Sequence, residues 1–281
     1  MTRALQRFID VDAWDVSSPD WHRLLGQLPV HEQQQVTRFM FAKDQKLALA
    51  SRLMQRQLIH DLFQTDYNAI DIQRTPENKP YWKRPNSTVA PPLWNYNVSH
   101  HGTIVAIASD SRSLVGVDVV RVTDRPHRKT SIEEFFRAFA GHFNPNEWRY
   151  IRGDNQDEEG HQYARFYRLW SLKEAFIKAI GIGLGFCLLR AEFVRMGTTE
   201  RWELILDGQL ARDWKFSCTQ INSTHIVSVA RGPITAMWKP ETSSLFANDV
   251  AYASEQAVGS KGDTDQTLAS WQELGLQDLL Q

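Results

Sequence analysis

Two acids and a lysine, set on two separate stretches of the chain, are of the types that hold a metal ion and move a proton. Asp118 lies in Leu114-Val115-Gly116-Val117-Asp118-Val119-Val120. A strand period of two sends Val115, Val117 and Val119 to one face and Gly116, Asp118 and Val120 to the other. A carboxylate in so apolar a strand is costly unless a positive group meets it, and Gly116 lets a ligand or another backbone come close. An Asp at a strand end, in solvent or paired with Arg121, is the structural alternative. Glu174 and Lys178 stand four apart in Phe166 to Ile180, a run that is apolar round most of a helical circumference. That spacing presents a carboxylate and an ammonium on one face. It also suits a plain helix-surface ion pair contributing under ~1 kcal/mol.

Weaker signals surround these. Asn97-Val98-Ser99-His100 ends a strand with an amide, a hydroxyl and an imidazole, and Arg74-Thr75-Pro76-Glu77-Asn78-Lys79 puts two cations on one proline-shaped loop. Each suits a phosphate or merely water. Gly181, Gly183 and Gly185 follow a helix instead of preceding one, so they read as a left-handed cap and not as a phosphate cradle. Cys187 and Cys218 lack His or Cys neighbours at metal spacing and are too few for a disulfide framework.

The elements that must position these residues follow from periodicity. Residues 31–64 are amphipathic and helical, with Val36, Phe39, Leu47, Ala50, Met54, Leu58 and Leu62 inward and Arg38, Lys43, Lys46, Arg52 and Arg56 exposed. Prolines 76, 80, 85, 91 and 92 make the next stretch loop and short strand. Trp94 to Ser99 and Thr103 to Ala108 form a hairpin around His100-His101-Gly102, and Leu114 to Val122 is a third strand. Helices come next at Ser131 to Phe143, at Pro145 with Asn144 as cap and Glu147 closing a capping box, and at Gln162 to Ile180. Four short strands end the ordered part at Arg231.

The order, helix then strands, occurs twice. It predicts an α+β protein of two similar halves, residues 1–113 and 114–240, with 241–281 a loosely held tail that has a short amphipathic end near Trp271 to Leu280. The 281 residues carry a formal net charge of −1, which gives no global basic field for nucleic acid or an anionic membrane. The chain starts without a signal-like apolar stretch and has no run long enough to span a bilayer, so a cytosolic protein is expected.

Taken together, V-G-V-D, about fifty residues, and then W-S-L-K-E-A-F-I-K resemble the paired signature of phosphopantetheinyl transferases of the larger, surfactin-synthetase-activating type. The strings R-T-P-E-N-K-P, N-V-S-H-H-G and F-Y-R-L-W-S-L-K-E-A-F-I-K-A-I-G-I-G-L-G-F are similar to the animal branch of that family, and the resemblance covers residues 31 to about 230.

The resemblance implies a pseudo-twofold molecule, a monomer, with coenzyme A in the cleft between the halves. Asp118 and Glu174 would hold Mg²⁺ on the pyrophosphate, Glu174 would also be the base for the attacking serine, and Lys178 would steady the charge of departing 3′,5′-ADP. Asn97, Val98, Ser99 and His100 would line the nucleotide and phosphates, and Arg74 with Lys79 would meet the phosphoadenosine end. The implied partners are apo carrier domains, such as those of fatty acid synthase or aminoadipate-semialdehyde dehydrogenase-like enzymes. Two positions depart from the family. Val120 stands where many bacterial members carry a second acid, leaving that place to water, and Gln35 stands where the animal branch has an arginine, so that Arg38, one turn on, is its expected replacement. A catalytically silent carrier-protein or coenzyme A binding module would be expected to lose Asp118 or Glu174. A nucleotide-dependent kinase would need a glycine-rich loop ahead of a helix, and none is present.

Overall fold

The computed structural model describes residues 4–85, 93–125, 130–153, 157–197, 201–237 and 270–280. The chain opens with strand β1 (Leu5–Asp10) and helices α1 (Pro19–Gly26), α2 (Val30–Thr37) and α3 (Ala42–Phe63). Ser18 caps α1 by accepting from the Trp21 amide, with Pro19 at the first helical position. A small pair, β2 (Ile72–Arg74) and β3 (Pro80–Trp82), fills the proline-rich region. The expected hairpin follows as β4 (Asn95–His101) and β5 (Ile104–Asp110), and its two-residue turn uses a positive φ at Gly102.

Strand β6 (Leu114–Arg121) leads into α4 (Ile132–Ala138), α5 (Pro145–Arg152) and α6 (Glu159–Ile180). Ser131 with Glu134 caps α4 and Asn144 with Glu147 caps α5, and α6 ends on Gly181 in the left-handed region. Strands β7 (Ala191–Arg195), β8 (Trp202–Leu206), β9 (Gln209–Leu210), β10 (Lys215–Gln220) and β11 (His225–Gly232) follow, with β12 (Trp271–Glu273) near the end.

The strands build one sheet of order β12-β1-β5-β4 and a second of order β6-β11-β10-β8-β7, with β9 beside β8. Each larger sheet has its own long helix. Apolar residues of α3 (Leu49, Leu53, Leu58) enter one core with Val105 and Ile107 of β5, and those of α6 (Phe166, Leu172, Phe176) enter another with Ile226 and Ala230 of β11. A third cluster joins the sheets themselves, Ile104, Ala106 and Ala108 against Val115, Val117, Val119, Val227 and Val229. The hydrophobic face expected of β6 is thus spent on binding one half to the other.

Two expectations are corrected here. Arg56, expected on the exposed side of α3, is 1 % exposed; its guanidinium pairs with Glu32 at 2.5 Å and donates to the carbonyls of Tyr67 and Ile70. The end of the tail is held firmly. β12 adds to β1 in parallel, Trp271 meets Phe8 edge-on, and Leu274 and Leu279 are buried in the first core, while residues 241–269 lie outside the described residues. Among the described residues, no helix is long and apolar enough to cross a membrane.

Candidate active site

Strand β6 carries Asp118 to the junction of the two sheets, because its free edge faces the free edge of β4. The amides of Val115, Val117, Val119 and Arg121 each find a side-chain acceptor there. Asn95 Oδ1 accepts at 3.0 Å, Asn97 Oδ1 at 2.9 Å, Ser99 Oγ at 3.3 Å and His101 Nδ1 at 3.2 Å. Alternate side chains of one strand thus do what a neighbouring backbone does in an ordinary ladder, and the exposed edge of β6 is closed. Behind β6 the α6 backbone is in direct contact, since a Cβ on Gly116 would stand 2.0 Å from the Ala175 carbonyl oxygen. Gly116 therefore serves close approach of another backbone, one of the two uses its position allows.

That tight contact brings Glu174 and Lys178 of α6 to Asp118. The Lys178 ammonium donates to Asp118 Oδ1 at 2.5 Å and to Ser99 Oγ at 2.8 Å, and Ser99 in turn donates to Asp118 Oδ1 at 3.2 Å. Asp118 is therefore no solvent-exposed strand end and is not paired with Arg121. Burial raises the Glu174 carboxyl above its ordinary range; the negative charge of Asp118 raises it further, and Lys178 opposes the shift. The neighbouring Lys173 belongs to a different arrangement. It faces Glu147 at 2.9 Å, with both side chains wholly buried.

The cations expected for coenzyme A separate into two kinds. Arg38 and Arg74 are exposed, and both press electrostatically on Arg52, whose pKa falls first through desolvation, against the support of Glu32 and with the help of Arg74, Arg38 and Arg56. Arg52 Nη2 also donates to Gln35 Oε1 at 2.9 Å. Arg38 and Arg74 thus stand at the surface close to the half-buried Arg52, a set of cations suited to a phosphate. Arg52 belongs to this cluster although its sequence signal was only that of a solvated helix face. Lys79 stands apart: its ammonium is covered and donates to the carbonyls of Val115 and Ala179, and desolvation brings its pKa down to about 8. It fastens its loop to β6 and to the end of α6.

The Asn97 to His100 stretch divides by strand alternation. Asn97 is buried with its oxygen on the Val117 amide, and Val98 packs against the first core. Ser99 touches both Lys178 and Asp118. His100 is exposed beside the site; its imidazole pKa is lowered by desolvation and then by Lys178, while Asp44 opposes this. Val120 shares the face of Asp118, as period two requires, and at 4 % exposure it packs with the second core.

A divalent cation fits the carboxylates that are present. Asp118 already accepts a positive group, and Glu174 feels its negative charge, so a cation between them would relieve the repulsion. Among the described residues no group of three or more His, Cys, Asp and Glu could hold a metal. Two carboxylates suit Mg²⁺, which fills its shell with phosphate oxygen and water.

Two carboxylates with a lysine beside them, at the junction of the two sheets, are suited to a divalent cation and an anionic ligand. The chain belongs to the 4′-phosphopantetheinyl transferases: residues 12–112 match the family's N-terminal model, and residues 114–230 match the 4′-phosphopantetheinyl transferase superfamily. The human L-aminoadipate-semialdehyde dehydrogenase-phosphopantetheinyl transferase (Homo sapiens) is 34 % identical over 95 % of this chain and 82 % of its own length. The mouse protein of that name (Mus musculus) is 37 % identical over 77 % and 71 %. A phosphopantetheinyl transferase of Thraustochytrium sp. is 36 % identical over 78 % of each.

Proposed function

We propose that this transferase moves the 4′-phosphopantetheine arm of coenzyme A to a serine of an apo carrier domain at the junction of β4, β6 and α6. The observation that carries the reading is the convergence of Asp118, Glu174 and Lys178 from two elements onto one partly open spot. Asp118 and Glu174 would hold Mg²⁺, which when bound supplies positive charge to the pyrophosphate. The serine oxygen attacks the phosphorus that bears the pantetheine arm, a new P–O bond forms, and the bond to 3′,5′-ADP breaks.

Glu174 accepts the serine proton, directly or through a water; a carboxyl raised by burial is a stronger base than an ordinary glutamate. Lys178, already a cation at this place, meets the charge that gathers on departing 3′,5′-ADP. Arg38 and Arg74, with Arg52 behind them, bind the phosphoadenosine end, and His100 borders the phosphates. The carriers are those of fatty acid synthase or of aminoadipate-semialdehyde dehydrogenase-like enzymes, and the protein acts as a cytosolic monomer.

Mass spectrometry of purified apo carriers after incubation with coenzyme A and Mg²⁺ tests the reading. One added phosphopantetheine arm is expected on at least one carrier type, and unmodified carriers of every type would overturn it.

A further inference from the structure

Ser99 has a fully spent hydroxyl. A serine oxygen has one proton to give and two lone pairs to fill. Here the lone pairs take the Val119 amide at 3.3 Å and the Lys178 ammonium at 2.8 Å, and the proton goes to Asp118 Oδ1 at 3.2 Å. At 7 % exposure the side chain has no spare bond to offer a ligand.

The three partners of Ser99 are the metal-facing aspartate, the lysine of the reaction and a rung of the β4–β6 ladder. Ser99 is reached from the first half, whereas Asp118 and Lys178 both belong to the second. Its neighbours on the ladder, Asn95 and Asn97, make the same kind of bond to β6 without touching either functional group. The ladder therefore contains its own control. Rungs at 95 and 97 fasten the halves, and the rung at 99 does so while it also holds Asp118 and Lys178.

We propose that Ser99 is a positioning residue: it aims the Asp118 carboxylate and the Lys178 ammonium from the opposite half of the molecule, so that the fit between the halves sets the spacing of the metal site. The proposal rests on the transferase reading and replaces the expectation that Ser99 binds the nucleotide. If the ammonium leaves Asp118 for the pyrophosphate once coenzyme A and Mg²⁺ bind, the donation from Ser99 to Asp118 is the contact that keeps the carboxylate from turning.

Ser99→Ala and Asn95→Ala each remove one rung, and comparing them tests the proposal. Two calorimetric titrations are required, coenzyme A into metal-free protein and Mg²⁺ into the coenzyme A complex, each with a melting curve. Both variants should melt lower than the parent. Only Ser99→Ala should weaken Mg²⁺ binding, by roughly tenfold or more, as loss of a group that orients a metal ligand does. Its affinity for coenzyme A without metal should stay within about threefold of the parent, a change of under ~0.7 kcal/mol. Ser99→Thr, which keeps the hydroxyl, should restore Mg²⁺ binding. Should Ser99→Ala not fold, Ser99→Cys, whose thiol is a weak donor of similar size, takes its place with the same expected loss.

Equal Mg²⁺ affinity in Ser99→Ala and Asn95→Ala would overturn the proposal and leave Ser99 a plain rung. A loss of metal-free coenzyme A affinity as large as the loss for Mg²⁺ would overturn it in favour of a nucleotide ligand. A parent protein that binds neither coenzyme A nor Mg²⁺ would instead sink the functional reading on which the proposal rests.

Discussion

Helix α6 carries two lysines five residues apart, and each meets a carboxylate, yet the two pairs are built for opposite ends. The side chains of Lys173 and Glu147 are 0 % exposed, and all three donors of the ammonium are filled, by Glu147 and by the carbonyls of Leu188 and Ala191, while Glu147 also accepts the amides of Phe193 and Asn144. Lys178 and Asp118 remain 29 % and 8 % exposed, the ammonium uses two of its three donors, and a second carboxylate stands close by. A closed pair fixes α5, α6 and β7 in place. An open pair with surplus negative charge is ready for a further cation and an anionic ligand. Burial raises both Glu147 and Glu174, so an altered pKa alone does not separate structure from chemistry. The count of unfilled bonds does.

The largest effect is expected at the closed pair. Glu147→Ala leaves the Lys173 charge buried without its partner and should cost about 3–5 kcal/mol. A chemical-denaturation midpoint close to that of the parent would refute the idea that this pair is a structural bolt. At the open pair the loss falls on turnover. Glu174→Gln should lower kcat roughly a hundredfold or more while the melting temperature stays near the parent value. Turnover within a few-fold of the parent, in a folded protein, would reduce the pair to a surface contact.

A smaller effect is expected at the arginines. Arg38→Ala with Arg74→Ala should weaken coenzyme A binding about tenfold, in keeping with the loss of charge-assisted bonds, and should leave 3′-dephospho-coenzyme A nearly unaffected. Equal losses for the two ligands, measured by calorimetry, would show that this cluster does not read the 3′-phosphate. The smallest is a pH effect. Protons compete with Mg²⁺ for Glu174, and its raised pKa starts that competition at a higher pH than an ordinary glutamate would. Mg²⁺ affinity of the coenzyme A complex should therefore decline by a few-fold as pH falls from neutrality towards the carboxylate range. Glu174→Gln should bind Mg²⁺ more weakly with a flatter pH profile, and an unchanged slope would assign the proton to another group.

Much of the second half was legible because local chemistry decides it. The cap at Asn144, the left-handed end at Gly181 and the period of β6 all act within a few residues of themselves. Strands β1 and β12 were not legible, since each is short and owes its place to a partner far along the chain. The same holds for Arg56, whose helical position reads as exposed until Glu32 and two carbonyls are seen to surround it. Of the site, Asp118, Glu174 and Lys178 could be singled out by type and spacing. The period-two run Asn95, Asn97, Ser99, His101 was equally visible, but its meaning required knowing that β4 lies beside β6. The surroundings of Asn97, Val98 and Lys79 were hidden for that reason: each side chain is held by a neighbour from a distant part of the chain.

The parallel pairing of β12 with β1 has a consequence for the order in which the molecule can be made. Residues more than two hundred positions later fill the core that α3 begins, with Leu274 and Leu279 set among Leu49, Leu53 and Leu58. On the ribosome, the opening half therefore waits with an unpaired edge at β1 and a gap in its interior until residues 271–279 have emerged. Contacts of such long range slow folding, and exposed edges invite pairing with other chains. The half that holds Asp118, Glu174 and Lys178 has no such wait for the tail, so the later-made part of the enzyme can be completed before the earlier one.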